Sequence, residues 1–296
     1  MIGHDDILRY EEIMRVISVA VKLGIAKVRV TGGEPLVRKG VVGFLASLKT
    51  IDGLEDISLT TNGILLEAFA QQLFDTGLKR INVSLDSLKP EKYASITRGG
   101  DLKAVLKGID KAYRVGFSPI KINVVAIKGV NEDEVLDFVS LTLTKPYQIR
   151  FIELMPVGEV GFGNNDKYMS NDSVIEKIAA FHTLDPIPGK KNKTDGPARM
   201  YRIKGGEGEI GFISSVSHHF CESCNRLRLT ADGHLRACLL CDEEIDLKGP
   251  LRSGCNDSEL GNLIKKTIAG KPKRHDIASD KVHLKKCVRD MPSIGG

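Results

Sequence analysis

Short strand-like segments alternate with helix-like segments over the first half of this 296-residue chain. Each strand-like segment reads as apolar on both faces, which is typical of strands buried between two layers of helices. Strands separated by helices in this way join in parallel through right-handed crossovers, so the pattern predicts an α/β fold. The predicted strands are 26–32, 56–62, 80–86, 121–127 and 149–155; the predicted helices are 6–24, 41–50, 65–77, 89–97, 102–116 and 131–143.

Polar or small residues stand at the carboxyl ends of these strands. In a β/α barrel this edge binds ligands, because its loops expose backbone groups. The Gly32-Gly33 pair would also let a ligand approach the backbone closely. One such strand end is ordinary loop chemistry, whereas four together predict a binding face. The four segments are 31–34, 60–62, 84–86 and 155–156.

The composition changes after Pro156, where Gly, Asn, Lys and Pro become frequent. We therefore divide the chain into a β/α domain at 1–156 and a second domain at 157–296. For the second domain the patterns predict a helix near 172–182, short strands with a hairpin over 208–240, and a helix at 257–269.

Composition and charge exclude several classes of protein. A hydrophobic fraction of 42% and a charged fraction of 27% are globular values and exclude a disordered chain. No apolar run approaches the ~18 residues of a membrane span, so we expect a soluble intracellular protein without a membrane partner. The net charge of +5 is small and Trp is absent, so we expect no nucleic-acid partner. The densest basic cluster is KPKR (271–274), and Lys271 is expected to be a solvated charge far from any site.

The six cysteines all lie after residue 220. Four of them have the spacing Cys221-x2-Cys224-x13-Cys238-x2-Cys241, which suits metal ligands in an intracellular chain. A turn signal at 231–233 lies between the two pairs and predicts a hairpin that brings them together. Four ligands would form a structural zinc ribbon. Three, with Cys241 spare, would hold an iron–sulfur cluster with one iron open to substrate.

Several segments together resemble one enzyme family, the GTP 3′,8-cyclases of molybdenum cofactor biosynthesis, which are radical S-adenosylmethionine (radical SAM) enzymes. GGEP alone would indicate only some radical SAM enzyme. The cysteine segment with NRLR and the terminal Gly295-Gly296 make the resemblance specific, and it runs from about residue 6 to the end. The segments are VRVTGGEPLVR (28–38), LTTNG (59–63), NVSLDSL (82–88), KINVV (121–125), RFIELMPVG (150–158) and SVSHHFCESCNRLRLTADGHLRACL (215–239).

The resemblance implies an incomplete β/α barrel followed by a C-terminal α+β iron–sulfur domain. It implies conversion of GTP to (8S)-3′,8-cyclo-7,8-dihydroguanosine 5′-triphosphate, with the Gly-Gly tail reaching into the active site. Matching residues fall into three groups. Those for S-adenosylmethionine are Gly33, Ser84 and Met155; those for GTP are Arg29, Thr60, Lys121, Arg226 and Arg228; those for a C-terminal 4Fe–4S cluster are Cys221, Cys224 and Cys238.

The resemblance also carries expectations about partners and location. The next enzyme to act on the product would be a cyclic pyranopterin monophosphate synthase, and a homodimer is left open. The compartment would be the cytoplasm in a bacterium and the mitochondrial matrix in a eukaryote.

The chain departs from the family pattern in two places. The family begins with a strand and a C-x3-C-x2-C loop that binds a first 4Fe–4S cluster, whereas the first cysteine here is Cys221. We therefore expect an N-terminally truncated form, without the first barrel strand, whose catalytic ligands are unknown; only a full-length form would hold this first cluster. Cys241 has no role in the family, and we expect it to be a spare thiol.

Three functions remain open at this point. The first is the radical SAM lyase that the resemblance implies. The second is a catalytically inactive remnant that binds GTP and a cluster. The third is a zinc-ribbon protein on a β/α scaffold, with Cys221, Cys224, Cys238 and Cys241 as ligands.

We predict that these 296 residues alone do not cleave S-adenosylmethionine, because no cysteine precedes position 221. Reductive cleavage needs an iron site bonded to the cofactor. Chromatography of a reaction with a strong reductant should show no 5′-deoxyadenosine above a control without protein. Reductant-dependent 5′-deoxyadenosine would contradict the prediction.

Overall fold

The computed structural model describes residues 6–157, 165–188, 196–274, 289 and 291–294. Every strand and helix predicted for the first half is present, with shifted ends. The strands are β1 (Lys27–Val30), β2 (Asp56–Thr61), β3 (Ile81–Ser84), β4 (Ile120–Ala126) and β5 (Tyr147–Glu153). The helices are α1 (Tyr10–Lys22), α2 (Val41–Leu48), α3 (Leu66–Asp75), α4 (Pro90–Thr97), α5 (Leu102–Val115) and α6 (Val135–Thr144).

Helix α1 begins later than its periodicity predicts, because the residues before it have other partners. The N–H of Leu8 donates to the carbonyl of Ala231 at 2.8 Å, which draws this segment towards the second half of the chain. Arg9 then caps the helix, and its N–H donates to the Glu12 carboxylate at 2.6 Å.

The second half contains shorter elements. Its helices are α7 (Asn171–Ala179), α8 (Lys248–Arg252), α9 (Asp257–Ala269) and α10 (Met291–Ile294). Its strands are β6 (Leu184–Pro186), β7 (Arg199–Ile203), β8 (Glu209–Ile213), β9 (Arg228–Leu229), β10 (His234–Arg236) and β11 (Glu244–Asp246).

The main sheet has eight strands in the order β1-β2-β3-β4-β5-β8-β7-β6. Neighbours from β1 to β5 pair in parallel, which confirms the predicted α/β fold, and β8 pairs with β5 in parallel. Strands β7 and β6 then add antiparallel. The sheet therefore continues across residue 157, and the division of the chain there stays a prediction.

The two faces of the sheet differ, and the prediction of strands apolar on both faces is wrong. One face is buried under helices, and along β4 it presents Ile120, Ile122 and Val124, all at most 2% exposed. The residues between them, Lys121 and Asn123, lie on the other face and are half-buried. The apolar face continues through the neighbouring strands as Leu59, Ile81, Val83, Ile149, Phe151, Ile210 and Phe212.

A separate three-stranded sheet, in the order β11-β10-β9, forms the cysteine hairpin. Strands β9 and β10 are antiparallel and are joined through the predicted turn, where Gly233 has a φ of +89°. The N–H of Gly233 donates to the carbonyl of Thr230 at 3.0 Å and closes that turn.

A second apolar core packs α1 against this hairpin and against α9. Leu8, Val16, Leu235 and Leu260 meet there, each at most 4% exposed. The first described residues of the chain are thereby fixed to the part that carries the cysteines. Among the described residues, no helix is both long and apolar enough to cross a membrane.

Candidate functional site

The loop after β1 is held in place by Glu34. Its carboxylate accepts hydrogen bonds from the Thr61 hydroxyl at 2.8 Å, the Asn62 N–H at 2.6 Å and the Leu36 N–H at 3.0 Å. These bonds tie the loop to the end of β2. Gly32 in the same loop has a φ of +142°, which favours glycine, and Gly33 is exposed with open space beside it. The backbone of Gly33 is therefore accessible to a ligand.

Asp86 and Asn131 hold the loop that follows β3, the strand that ends at Ser84. The Asp86 carboxylate accepts from the Val125 N–H at 2.7 Å. The Asn131 amide donates to the carbonyl of Asp86 at 2.7 Å and to that of Val125 at 2.8 Å. Ser84 itself stays exposed at the edge of the sheet.

Glu153 joins the end of β5 to the segment that leads to the cysteines. Its carboxylate is 1% exposed and accepts from the N–H groups of Asn171, Val216 and Ser217 at 2.8–3.0 Å. Burial, and then the charge of Glu153, raise the pKa of Tyr168 to about 12. No local pattern in the sequence marks this cluster, because its members are far apart along the chain.

The half-buried face of the sheet carries a row of polar side chains in register, one of which is basic. Lys121 on β4 pairs with Asn82 on β3 and with Gln148 on β5, and Asn82 pairs with Thr60 on β2. Residues paired in this way point to the same face. The predicted Thr60 and Lys121 therefore lie in one row across three strands.

Arg150 lies beside Lys121 on this face and is 8% exposed. Gly211 on β8 leaves room for it, since a Cβ there would lie 3.3 Å from the Arg150 Cγ. The Nε of Arg150 has no hydrogen-bond partner among the described residues. Burial, and then the charge of Arg29, lower the pKa of Arg150 to about 10. Such a guanidinium can donate hydrogen bonds to an anion.

Lys121 is the one lysine of this row, and its pKa is strongly lowered. Burial, and then the charges of Arg150 and Arg80, lower its pKa to about 7. At the start of β2, Asp56 accepts from the Lys27 ammonium at 2.9 Å and pairs with Arg80, which offsets part of this charge.

Arg228 on the hairpin is also affected by nearby positive charges. Its pKa is lowered to about 10, first by burial and then by the charges of Arg226 and Arg29. The pKa of Arg29 is lowered in turn by partial removal from water and by the charge of Arg226. The structure thus brings the predicted arginines of β1 and of the hairpin together. We refer to Lys27, Arg29, Arg80, Lys121, Arg150, Arg226 and Arg228 as the basic cluster.

Three members of the basic cluster, Lys27, Arg80 and Arg150, are absent from the sequence prediction. Spacing along the strands offers a signal for two of these three. Lys27 stands two residues before Arg29, and Arg150 stands two residues after Gln148, which is the period of one strand face.

The predicted cysteine ligands lie on the two arms of the hairpin. Cys221 begins a short 3-10 turn, and the N–H of Cys224 donates to the carbonyl of Cys221 at 3.1 Å. Cys238 follows β10 on the returning arm. All three are free thiols and half-buried. The charges of Cys238 and Cys224 both act on Arg228, so both arms lie near it.

The thiol chemistry of this hairpin suits metal binding. Burial alone would raise the pKa of Cys224, but hydrogen bonds from Arg226, with the charges of Arg226 and Lys271, bring it below its usual value. A lowered pKa favours the thiolate, which is the form that ligates metal. Within the described part of the chain no three Cys, His, Asp or Glu side chains are close enough to hold an ion. The three thiols are donors of the type that ligates an iron–sulfur cluster. In the described structure they are not yet close enough together to ligate one ion.

The buried side chain of Arg236 holds the loop that contains Cys241. Arg236 is 0% exposed; it donates to the Cys241 carbonyl and pairs with Glu244 at 2.9 Å. The Cys241 thiol is free and half-buried, while Cys287 is outside the described residues.

The last described residues return to the hairpin. Arg289 pairs with Asp232 in the turn at 2.9 Å and with Glu244 at 2.8 Å. Ile294 is 1% exposed and packs in a small apolar cluster with the predicted Met155 and with Leu239, which adjoins Cys238. Gly295 and Gly296 are outside the described residues.

These placements give a consistent picture of the site. Gly33, Ser84 and Met155 lie at or beyond the carboxyl ends of β1, β3 and β5, which share one edge because the strands are parallel. The basic cluster lies on the adjoining face and reaches the hairpin. This arrangement can bind a polyanion between the sheet and the cysteines, with an exposed strand edge beside it.

Comparison with family models divides nearly the whole chain between two families. Residues 1–142 match the Radical SAM superfamily. Residues 147–277 match the family described as Molybdenum Cofactor Synthesis C.

The chain is similar along nearly its whole length to curated proteins. It is 47% identical over 293 residues to the GTP 3′,8-cyclase of Alkaliphilus metalliredigens, covering 99% of this chain and 88% of that protein. It is 47% identical over 294 residues to the GTP 3′,8-cyclase of Moorella thermoacetica, covering 99% and 89%. Among solved structures, Streptococcus suis SuiB bound to S-adenosylmethionine shares the fold, with a TM-score of 0.57 at 14% identity over 92% of this chain and 70% of that one.

We predict that Lys121→Met stabilises the ligand-free protein, because it removes a charge that the surrounding cations and burial disfavour. The pKa of Lys121 is about 7 in the folded protein and 10.5 for an ordinary lysine. The unfolded chain therefore binds more protons between these values, and the gain should be largest below pH 7 and shrink as the pH rises towards 10.5. Urea unfolding across this range, with the exposed Lys111→Met as control, measures it; a gain independent of pH would contradict the prediction.

Proposed function

The chain belongs to the GTP 3′,8-cyclase family of radical SAM enzymes, which acts in molybdenum cofactor biosynthesis, and from this premise we propose which of its residues bind substrate and cofactors. The basic cluster binds the triphosphate of GTP. The cysteine hairpin binds a 4Fe–4S cluster through Cys221, Cys224 and Cys238. The carboxyl edge of the sheet binds S-adenosylmethionine beside Gly33, Ser84 and Met155.

The observation that carries the GTP assignment is the convergence of cations from the sheet and from the hairpin. A triphosphate brings about four negative charges, which offset the repulsion between these side chains. The charges of Arg226 and Arg29 both act on Arg228, so a ligand can contact both parts at once. Arginine forks suit phosphate oxygens, and Arg150 has an unfilled donor.

The guanine end of GTP needs neutral or metal-based contacts. Thr60 lies in the row of Lys121 and supplies a hydroxyl without adding charge. Three cysteine ligands leave one iron of a 4Fe–4S cluster free to take a nitrogen or oxygen of the base. The proximity of Arg228 to Cys224 and Cys238 supports a substrate that spans the basic cluster and the hairpin.

We assign Cys241 as a spare thiol. Arg236, at the end of the strand that leads to Cys238, fixes the Cys241 backbone in the loop that continues to β11. A fourth thiolate on the cluster would close the iron site that the base needs.

The edge assigned to S-adenosylmethionine combines an accessible backbone with fixed loops. Gly33 is exposed in a loop that Glu34 ties to β2. Ser84 ends β3, and Asp86 and Asn131 hold the loop that follows it. In the radical SAM superfamily the cofactor supplies a 5′-deoxyadenosyl radical that removes a substrate hydrogen. The given sequence has no cysteine before Cys221 to hold the iron site that reductive cleavage of this cofactor needs. Its own residues bind the triphosphate and orient ribose and base for bond formation between C3′ and C8.

We predict an oxygen-sensitive cluster with about four iron per chain after anaerobic purification. Cys238→Ala should lose it, because the chain supplies only three assigned ligands. Cys241→Ala, a matched change on the neighbouring C-x2-C position, should leave the iron content nearly unchanged. Iron and zinc analysis measures both; stoichiometric zinc with negligible iron would refute the cluster assignment.

We predict that Arg228→Ala weakens GTP binding by about ten- to a hundredfold, since a charge-assisted contact contributes roughly 1.5–3 kcal/mol. Lysine at this position should restore only part of the affinity, because an ammonium group lacks the guanidinium fork. Calorimetry on the anaerobic, cluster-loaded protein measures the affinity.

The control for this measurement is Lys273→Ala, which removes one exposed positive charge from the same domain. Equal GTP affinity for Arg228→Ala and Lys273→Ala would show that Arg228 does not contact the substrate.

A further inference from the structure

Lys271 is not the solvated charge that its basic neighbourhood suggests. It follows α9 by two residues, and its ammonium donates to the carbonyl of Arg226 at 2.7 Å and to that of Ala237 at 2.6 Å. Lys273, two residues further on, is exposed. The expectation that Lys271 lies far from the site is therefore wrong.

The two carbonyls belong to opposite arms of the cysteine hairpin. Arg226 is two residues after Cys224, and Ala237 directly precedes Cys238. Paired residues of β9 and β10 reach only as far as Arg228 and Arg236. Lys271 thus bridges the arms just beyond the end of the strand ladder, on the side where the cysteines lie.

We propose that Lys271 is a positioning residue for the iron–sulfur cluster: it sets the spacing of the arms that carry Cys224 and Cys238 and places a positive charge beside the cluster. The inference rests on the proposed function, because the cluster is part of it. It adds a residue from outside the cysteine segment and outside the basic cluster.

Two physical effects follow from this position. The hydrogen bonds fix the backbone from which the ligands extend, and groups that orient ligands typically affect metal retention. The charge favours the reduced cluster, which is more negative, so it raises the reduction potential. The charge of Lys271 already acts on the Cys224 thiol, which supports its proximity.

The experiment compares four cluster-loaded proteins: wild type, Lys271→Met, Lys271→Gln and the control Lys273→Met. Methionine removes the charge and both hydrogen bonds. Glutamine removes the charge but keeps an amide donor. The measurements are the rate of iron release to a chelator and the midpoint potential from an anaerobic redox titration followed by electron paramagnetic resonance.

For Lys271→Met we expect iron release faster by roughly 10- to 100-fold and a lower midpoint potential. For Lys271→Gln we expect the lower potential with slower iron release than in Lys271→Met. Lys273→Met should match the wild type in both. If Lys271→Met fails to fold, the midpoint potential of Lys271→Gln, compared with that of Lys273→Met, still tests the effect of the charge.

Either of two results would overturn the inference. If both Lys271 variants match Lys273→Met while wild type carries the cluster, Lys271 has no positioning role and the proposed function stands. If wild type carries zinc or no metal in place of iron, the cluster assignment itself fails, and this inference fails with it.

Discussion

Seven cationic side chains meet around one face of a parallel sheet and one hairpin, and the fold has to hold them there against their mutual repulsion. The opposite face of the same strands supplies the compensating energy, because it is largely apolar and buried under helices. Asp56 offsets part of the charge at the start of β2. We propose that a triphosphate neutralises the remaining surplus of positive charge.

Three carboxylates, one of them buried and two partly buried, fix the loops at the carboxyl edge of the sheet. Glu34, Asp86 and Glu153 each accept backbone N–H groups at the carboxyl edge of the sheet. Each bond satisfies a donor that would otherwise need water, and it fixes a loop without a side chain that extends into the ligand space. A rigid edge with open glycine backbone results, which suits a cofactor recognised through its polar groups.

The sequence predicted the order of strands and helices and the hairpin turn, because these depend on local periodicity and on turn signals. It misjudged the faces of the strands. Short segments such as KINVVAI look apolar throughout, although Lys121 and Asn123 occupy one face. Arg150 was missed for the same reason. Glu153 and Lys271 carry no local signal, since their partners are 18 to 64 and 34 to 45 residues away.

The contacts of Arg289 and Ile294 have a consequence for the order in which the protein matures. Both residues come some 50 residues or more after Cys238 in the chain, yet Arg289 holds the hairpin turn and Ile294 packs beside the arm that carries Cys238. During synthesis the most recent residues are enclosed in the ribosomal exit tunnel and cannot reach folded parts of the chain. The hairpin is therefore completed only after translation has passed Ile294.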